Sequence, residues 1–389
     1  MYNDIEENLR NSKKPNPVSG HLFQENFIRG LKANGADIEV INVPRIRHYP
    51  DYPRVIMKPS VYLLDGCVIG NNIGFLNIFL ISYISQYFNL KKALYMRLDQ
   101  LVGAECTLLV FNSYLIQTLV ILGAKNRYKN IKTCDIIGDL HGNYGVLRKY
   151  ATIKERLVDL YGRIEDKFAK CFEYYVFLSK FMVDVLQCEK SQYVVVEGIY
   201  NEKRKLDNNS IVNNKNVVYA GSLNVEYDIE HLLKAFVLTI DKTSTLFIAG
   251  NGNGLEIVHY YVNKDKRIKY LGVLSPEELL KYQLNATALI NPRKNNHRYV
   301  KYSFPSKTME CLAIGKPYIA HKLDSIPEEY SDYIQYCGES DEDLAKRIDQ
   351  VLSMSDIERS EIGKKSRKFI LEKKNPATMT KKLLQLIEN

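Results

Sequence analysis

From Val217 onward, strand-sized apolar runs alternate with helix-sized amphipathic runs, and this alternation limits the possible folds more than any other feature of the chain. The strand candidates are 217–220, 245–249, 268–271, 288–291 and 318–320. Most are followed by a glycine-rich or small polar turn: Gly221-Ser-Leu-Asn224, Gly250-Asn-Gly-Asn-Gly254, Gly272-Val-Leu274 and Pro292-Arg293. Helix candidates lie between them, at 229–240 and after Ser275-Pro-Glu-Glu278, a capping box with proline in first place. A β-α-β alternation requires a parallel sheet with helices on both faces. No period of 20–50 residues repeats, which argues against a solenoid.

The first half reads less regularly. Residues 1–15 are polar and charged, with no strand pattern. Residues 16–21 form a loop, with Ser19 or Gly20 placed to start a helix whose apolar face is Leu22, Phe23, Phe27, Ile28 and Leu31. Gly35 ends it, and 38–41 is a strand candidate. Residues 44–59 are basic and proline-rich, a loop. Residues 66–90 carry no charge, but Gly70, Asn71, Asn72 and Gly74 break the first half, whereas a spanning helix needs about 20 predominantly apolar residues. A buried loop followed by a helix at 73–90 is expected instead. Then come a strand at 106–111, a helix at 114–123 ending in glycine, and a strand at 133–137. That strand delivers Asp139 and His141 to its carboxyl end, where doubly wound sheets bind ligands. Asp139 as a turn cap and His141 as a solvated histidine fit the same pattern. A charged helix at 154–172, a strand at 175–178, a Ser179 cap and a strand at 193–196 complete this half. An Asn- and Lys-rich linker spans 201–216. Two helices follow Ser340, and Pro376 opens an amphipathic helix with Met379, Leu383, Leu384 and Ile387.

The stretch from Tyr302 to Pro317, YSFPSKTMECLAIGKP, carries the most chemistry. Pro305 stands at the first helical position, Met309, Leu312 and Ala313 repeat at helical spacing, and Gly315 and Pro317 stop the helix. A helix N-terminus beside Lys307, with Arg293 nearby, is an anion site, and Glu310 one turn on can accept from sugar hydroxyls. On pattern alone, a surface helix with one lysine and one glutamate fits equally well.

This wording resembles the nucleotide-binding signature of retaining glycosyltransferases of family 4, in which an acidic residue, seven residues and a glutamate precede a Gly-x-Pro turn. The version Phe-Pro-Ser-Lys-Thr-x-Glu is similar to a subgroup met in bacterial surface-polysaccharide assembly. The resemblance implies a GT-B, α/β fold: two Rossmann-like doubly wound domains facing a cleft. It divides the chain into an acceptor-binding domain at 1–200, a nucleotide-sugar-binding domain at 201–372 and a terminal helix at 373–389 that crosses back. It places Glu310 on the donor ribose and the backbone of Ser306, Lys307 and Thr308 on the diphosphate. It also places Gly221, Ser222, Gly250 and Gly252 along the donor, backbone groups at Val273 and Leu274 on the base, and Gly20 and His21 in an acceptor-side loop. Three positions depart from the pattern. Tyr302 replaces the first acid, and Ser222 and Tyr227 replace the usual arginine and lysine, leaving Arg293 and Lys307 as candidate phosphate cations. Asp139 and His141 are the catalytic candidates. Family members begin with an apolar strand ahead of the loop at 18–21, and residues 1–15 supply none. The expectations are a truncated chain, a sheet with one strand fewer, or a strand donated by a partner.

The implied activity is sugar transfer from a UDP-sugar to a glycan or lipid-linked acceptor, with no metal and no cofactor. The competing readings are a non-catalytic GT-B partner subunit, which the three departures favour, and a nucleotide-sugar epimerase, against which the Glu310 signature speaks. The length of 389 residues suits two domains, and 46% hydrophobic with 25% charged residues suits a globular chain. Seven cysteines without metal spacing indicate reduced thiols and a cytoplasmic address. No signal peptide is visible in the polar first residues. The net charge of +9 favours an anionic partner, either a nucleotide or an anionic membrane surface at the inner face of the plasma membrane. Nucleic acid is not expected, since no binding motif accompanies the charge.

Overall fold

The computed structural model describes residues 19–101, 103–112, 114–140, 153–202 and 215–388. The chain divides into two compact units: residues up to Ile199 together with Pro376 onward, and Tyr200–Asn375.

The second unit is built on six parallel strands: β10 (Asn216–Ala220), β11 (Thr245–Ala249), β12 (Ile268–Tyr270), β13 (Ala288–Asn291), β14 (Tyr318–His321) and β15 (Gln335–Cys337). This numbering continues from the nine strands among the described residues of the first unit. The spatial order is β12-β11-β10-β13-β14-β15, so the chain winds outward from β10 in one direction, returns, and winds outward in the other. Alternation along β10 explains why both faces are covered. Val217 and Tyr219 enter one core with Leu246 and Ile248, and Val218 enters the other with Leu289 and Tyr318. The first core is closed by α6 (Ile229–Leu238), α7 (Leu255–Lys264) and α10 (Asp341–Ser353). The second takes Leu280 and Leu284 of α8 (Pro276–Leu284), Leu312 of α9 (Ser306–Ile314) and Ile370 of α11 (Asp356–Lys373). Ser275, Ser340 and Ser355 each form a full capping box at the start of α8, α10 and α11. Pro305 is the N-cap of α9 rather than its first helical residue, and Gly315 closes the helix at φ 78°.

In the first unit, β6 (Cys106–Phe111), β7 (Ile131–Ile137), β8 (Tyr174–Phe177) and β9 (Tyr193–Val195) form a parallel sheet. Its helices are α1 (Ser19–Ala33), α2 (Ile81–Gln100), α3 (Leu115–Arg127), α4 (Ile153–Ala169), a short α5 (Val183–Leu186) and α12 (Pro376–Glu388). Phe27 and Leu31 of α1 pack with Met379 and Leu383 of α12. A Cβ on Gly30 would lie 2.2 Å from the Pro376 carbonyl oxygen, so the two helices touch backbone to backbone there. Asn34 Nδ2 ties the contact by donating to the Ala377 carbonyl (2.8 Å) and to Thr380 Oγ1 (3.0 Å). Ser179 caps the turn after β8, accepting from the Phe181 amide.

Several expectations need correction here. Helix α1 already includes Gly20 and His21, which belong to its first turn and not to a loop. The strand expected at 38–41 is β1 (Val40–Asn42), parallel to β4 (Cys67–Asn72), which pairs antiparallel with β3 (Ser60–Leu64). The helix expected from 73 begins only at Ile81. Phe75 and Leu76 form β5 instead, antiparallel to β2 (Ile56–Met57) within the stretch expected to be all loop. Residues 66–90 are also not uniformly buried, and several large apolar side chains there are exposed. Gly123 does not end α3, which continues to Arg127. The expected first strand and most of the expected linker fall on residues 1–18 and 203–214, outside the described residues. No helix is long and apolar enough to cross a membrane among the described residues. All seven cysteines are free thiols.

Candidate functional site

At the carboxyl ends of β10, β11 and β12, three turns are laced together through backbone groups. The Gly221 amide donates to the Ala249 carbonyl (3.1 Å) and the Gly250 amide to the Gly272 carbonyl (2.9 Å). Leu223 donates to the Asn251 carbonyl (3.0 Å), and Gly254 donates back to the Leu223 carbonyl (2.8 Å). Gly250 adopts φ +141°, a region close to glycine-only, and a Cβ there would sit 1.8 Å from the Gly221 carbonyl oxygen. A Cβ on Gly252 would meet the Leu223 carbonyl carbon at 2.5 Å. Side chains repeat the lacing: Asn253 Oδ1 accepts from the Val225 amide (2.8 Å) and Asn224 Oδ1 from the Asn253 amide (3.1 Å). The glycines therefore let two turns approach closely enough to present a continuous backbone floor. The Ser222 carbonyl accepts from the Tyr219 hydroxyl (2.7 Å), whose pKa burial pushes well up. Past Gly272, Val273 is exposed and Leu274 partly so.

Beyond β13, the Arg293 guanidinium lies between two phenol rings, 5.1 Å from the Tyr227 centroid and 5.4 Å from that of Tyr299. Its Nε is buried without a hydrogen-bond partner among the described residues. Tyr227, a departure from the lysine expected at its place, thus acts as a wall for this cation. The Asp228 carboxylate fixes the loop after Arg293, accepting from the Lys294 amide and from Asn296 Nδ2, each at 2.9 Å. In α9 the pattern divides. The Thr308 amide is bonded to the Pro305 carbonyl (2.8 Å), and its buried hydroxyl lies 3.1 Å from the Tyr318 hydroxyl. Of the three backbone positions singled out, Thr308 is thus occupied by the N-cap, whereas Ser306 and Lys307 begin the first turn, where an amide has no acceptor within its own helix. Lys307 Nζ donates to Glu310 Oε2 at 2.8 Å, so these two residues form a half-exposed pair on the first turns. Burial works against the lysine's charge, and Glu310 more than offsets it, raising the Lys307 pKa. Tyr302, in the place of the first acid, is 6% exposed, with Lys301 Nζ 4.8 Å from its ring centre.

In the first unit, Asp139 follows β7 and is exposed. Asn112, at the end of β6 with φ +48°, holds the turn by accepting from the Gly138 amide (2.6 Å) and the Asp139 amide (3.3 Å). Arg45 stacks on Tyr114, 5.0 Å from its ring centre, and burial is the main cause of a raised Tyr114 pKa, with Asp139 adding to it. Asn112, Tyr114 and Arg45 were not picked out from the sequence. The available signal was their position, just after β6 and in the basic loop. His141 lies outside the described residues. His21 Nε2 is 3.2 Å from Glu25 Oε1 on the same helix face. Burial tends to raise the Glu25 pKa, but His21 and Arg29 outweigh it and hold the carboxyl below its ordinary range. No group of three or more metal-capable side chains gathers among the described residues.

This arrangement of two α/β units with parallel sheets is the GT-B fold, and solved structures of that fold superpose over nearly the whole chain. Sucrose-phosphate synthase from Thermosynechococcus elongatus matches with TM-score 0.63 at 15% identity, over 95% of this chain and 92% of its own. The E. coli structure described as trehalose-6-phosphate bound with UDP-2-fluoro glucose matches with TM-score 0.60 at 10% identity, over 96% and 97%. S. aureus TarM, in a mutant complex with Fondaparinux, alpha-GlcNAc-glycerol and UDP, matches with TM-score 0.54 at 15% identity, over 90% and 69%. Residues 201–389 match the family model for glycosyl transferases group 1. No curated protein matches the sequence.

Proposed function

We propose that the chain transfers a sugar from a UDP-sugar, held by the second unit, to a glycan or lipid-linked acceptor. In this reading the anomeric configuration is retained, and the chain is a family 4-like hexosyltransferase serving surface-polysaccharide or glycoconjugate assembly. The observation that carries the reading is the glycine-laced floor at the ends of β10–β12, inside the stretch that matches glycosyl transferases group 1. Two of the structural relatives are complexes with UDP or UDP-2-fluoro glucose, which supports the choice of nucleotide. Gly221, Ser222, Gly250 and Gly252 would carry the diphosphate side of the donor, and the backbone at Val273 and Leu274 the base.

In the transfer step, the bond from the anomeric carbon to the diphosphate oxygen breaks. A bond to the acceptor oxygen forms, and the acceptor proton leaves with the UDP. The Ser306 and Lys307 amides, with Arg293 between its two tyrosines, would stabilise the charge that develops on the leaving diphosphate. Donor binding would open the Lys307–Glu310 pair, sending the lysine to phosphate and the glutamate to the ribose hydroxyls. This requires neither metal nor cofactor. Asp139 is proposed on the acceptor side, with His141, Gly20 and His21.

Incubation with UDP-, GDP- and dTDP-sugars, reading released nucleotide with and without candidate acceptors, tests the reading. Turnover of a UDP-sugar is expected, and failure of every nucleotide to bind would overturn it. Tyr302, buried where an acid would face the donor sugar, favours a second reading as a non-catalytic partner subunit. UDP binding without turnover, alone or with added partner protein, would select that one.

A further inference from the structure

The uncharged stretch 66–90 runs into α2, and the start of that helix displays its apolar residues to solvent. Phe79, Leu80, Ile84 and Phe88 are each 60–63% exposed, and Ile81 and Tyr83 beside them are exposed as well. Ile81, Ile84 and Phe88 recur at the spacing that places side chains on one helix face. Cations border this face on two sides. Asn77 Nδ2 donates to the Arg47 and Arg54 carbonyls, each at 3.0 Å, which lays the basic loop along its edge. The His48 ring in that loop packs against Phe79 (5.6 Å) and Tyr83 (5.4 Å). Arg47, Arg54 and Lys58 are exposed, and Asp51 is the one acidic residue between 45 and 58. Further along α2, Lys91 Nζ lies 5.7 Å from the Tyr87 ring, itself in edge contact with Phe88.

We propose that this face of the first unit docks on an anionic lipid bilayer. An apolar, partly aromatic helix face bordered by lysine and arginine is the surface that lies in a membrane interface, with its apolar residues among the acyl chains and its cations at headgroup phosphates. The charge complementarity selects an anionic bilayer over a second copy of the chain, which would set the same cations against each other. The inference does not depend on the sugar-transfer reading.

Flotation of the full chain with phosphatidylcholine vesicles, with and without phosphatidylglycerol, tests it. The wild type floats with the anionic vesicles, and added salt weakens the association. Phe79→Ser with Phe88→Ser lowers partitioning by about tenfold or more, while UDP binding measured without vesicles is unchanged. Arg54→Glu with Lys58→Glu, which touches no apolar residue of the face, removes the preference for anionic vesicles. A wild type that stays in solution with anionic vesicles, or an apolar double variant that floats as the wild type does, overturns the proposal. A concentration-dependent dimer lost in the apolar variant, with no vesicle binding, overturns it in favour of a copy-to-copy interface.

Discussion

Replacing Gly250 by alanine tests whether the floor of the second unit depends on close backbone approach. The added Cβ would fall 1.8 Å from the Gly221 carbonyl oxygen, whereas real Cβ atoms almost never come within 3.0 Å of such an atom. The ends of β10 and β11 would have to separate by more than an ångström, which breaks the Gly221–Ala249 and Leu223–Asn251 hydrogen bonds. Forcing φ near +141° on alanine adds about 1–3 kcal/mol, and two lost hydrogen bonds about 0.5–1.5 kcal/mol each. A loss of about 4 kcal/mol in a unit of this size lowers Tm by roughly 8–16 °C. Gly272→Ala is the control. That residue also has a positive φ, +75°, but a Cβ there meets nothing within 4 Å, so only about 1–2 kcal/mol of left-handed strain applies. Thermal denaturation by circular dichroism of the three proteins, with a UDP titration of each, reads both effects. If Gly250→Ala melts with the wild type and binds UDP equally, the argument that the turns need a glycine is wrong.

Gly30→Val should separate α1 from α12, since a Cβ already falls 2.2 Å from the Pro376 carbonyl oxygen. A loss of about 1–3 kcal/mol from overpacking is expected in urea denaturation of the first unit, with UDP affinity unchanged. Acid sensitivity should appear in the second unit well before its carboxylates titrate. Burial, with His231 and Lys294 nearby, lowers the His321 pKa from 6.5 to about 4. A folded-state pKa below the unfolded one means that the unfolded chain binds the proton first. The histidine's contribution is complete above pH 6.5 and is lost as pH falls toward 4, by about 1.4 kcal/mol per pH unit. Tm measured from pH 7 to 4 should fall less steeply in His321→Gln than in the wild type, and parallel curves would refute this assignment.

The second unit was legible because its strands are buried on both faces. Runs such as 217–220 have no polar register to misplace, and the Ser275 capping box fixes a helix start from four residues. The region from 40 to 80 was not, because β2 and β5 are two residues long and their partner lies about 20 residues away. Phe75 and Leu76 look like the start of the helix that follows, and only pairing with Ile56 and Met57 says otherwise. Gly123 read as a stop signal, yet it lies inside α3, with the Tyr95 hydroxyl 2.7 Å from where a Cβ would be. The donor-side residues were found through one motif, but their environment was not. Tyr227 and Tyr299 are far apart in sequence, and nothing in either segment says that they enclose Arg293. Thr308 matched the motif by position, while its amide and hydroxyl are occupied within the fold.

The most direct test of the central claim is titration calorimetry of UDP and of uridine into the wild type, Arg293→Ala and Lys307→Ala. The floor, the first amides of α9 and the two cations are assigned to the diphosphate, so each lost charge-assisted hydrogen bond costs about 1.5–3 kcal/mol. UDP affinity should therefore fall by about tenfold or more in each variant, while uridine binds all three proteins alike. Equal UDP affinity in the wild type and both variants would contradict the account.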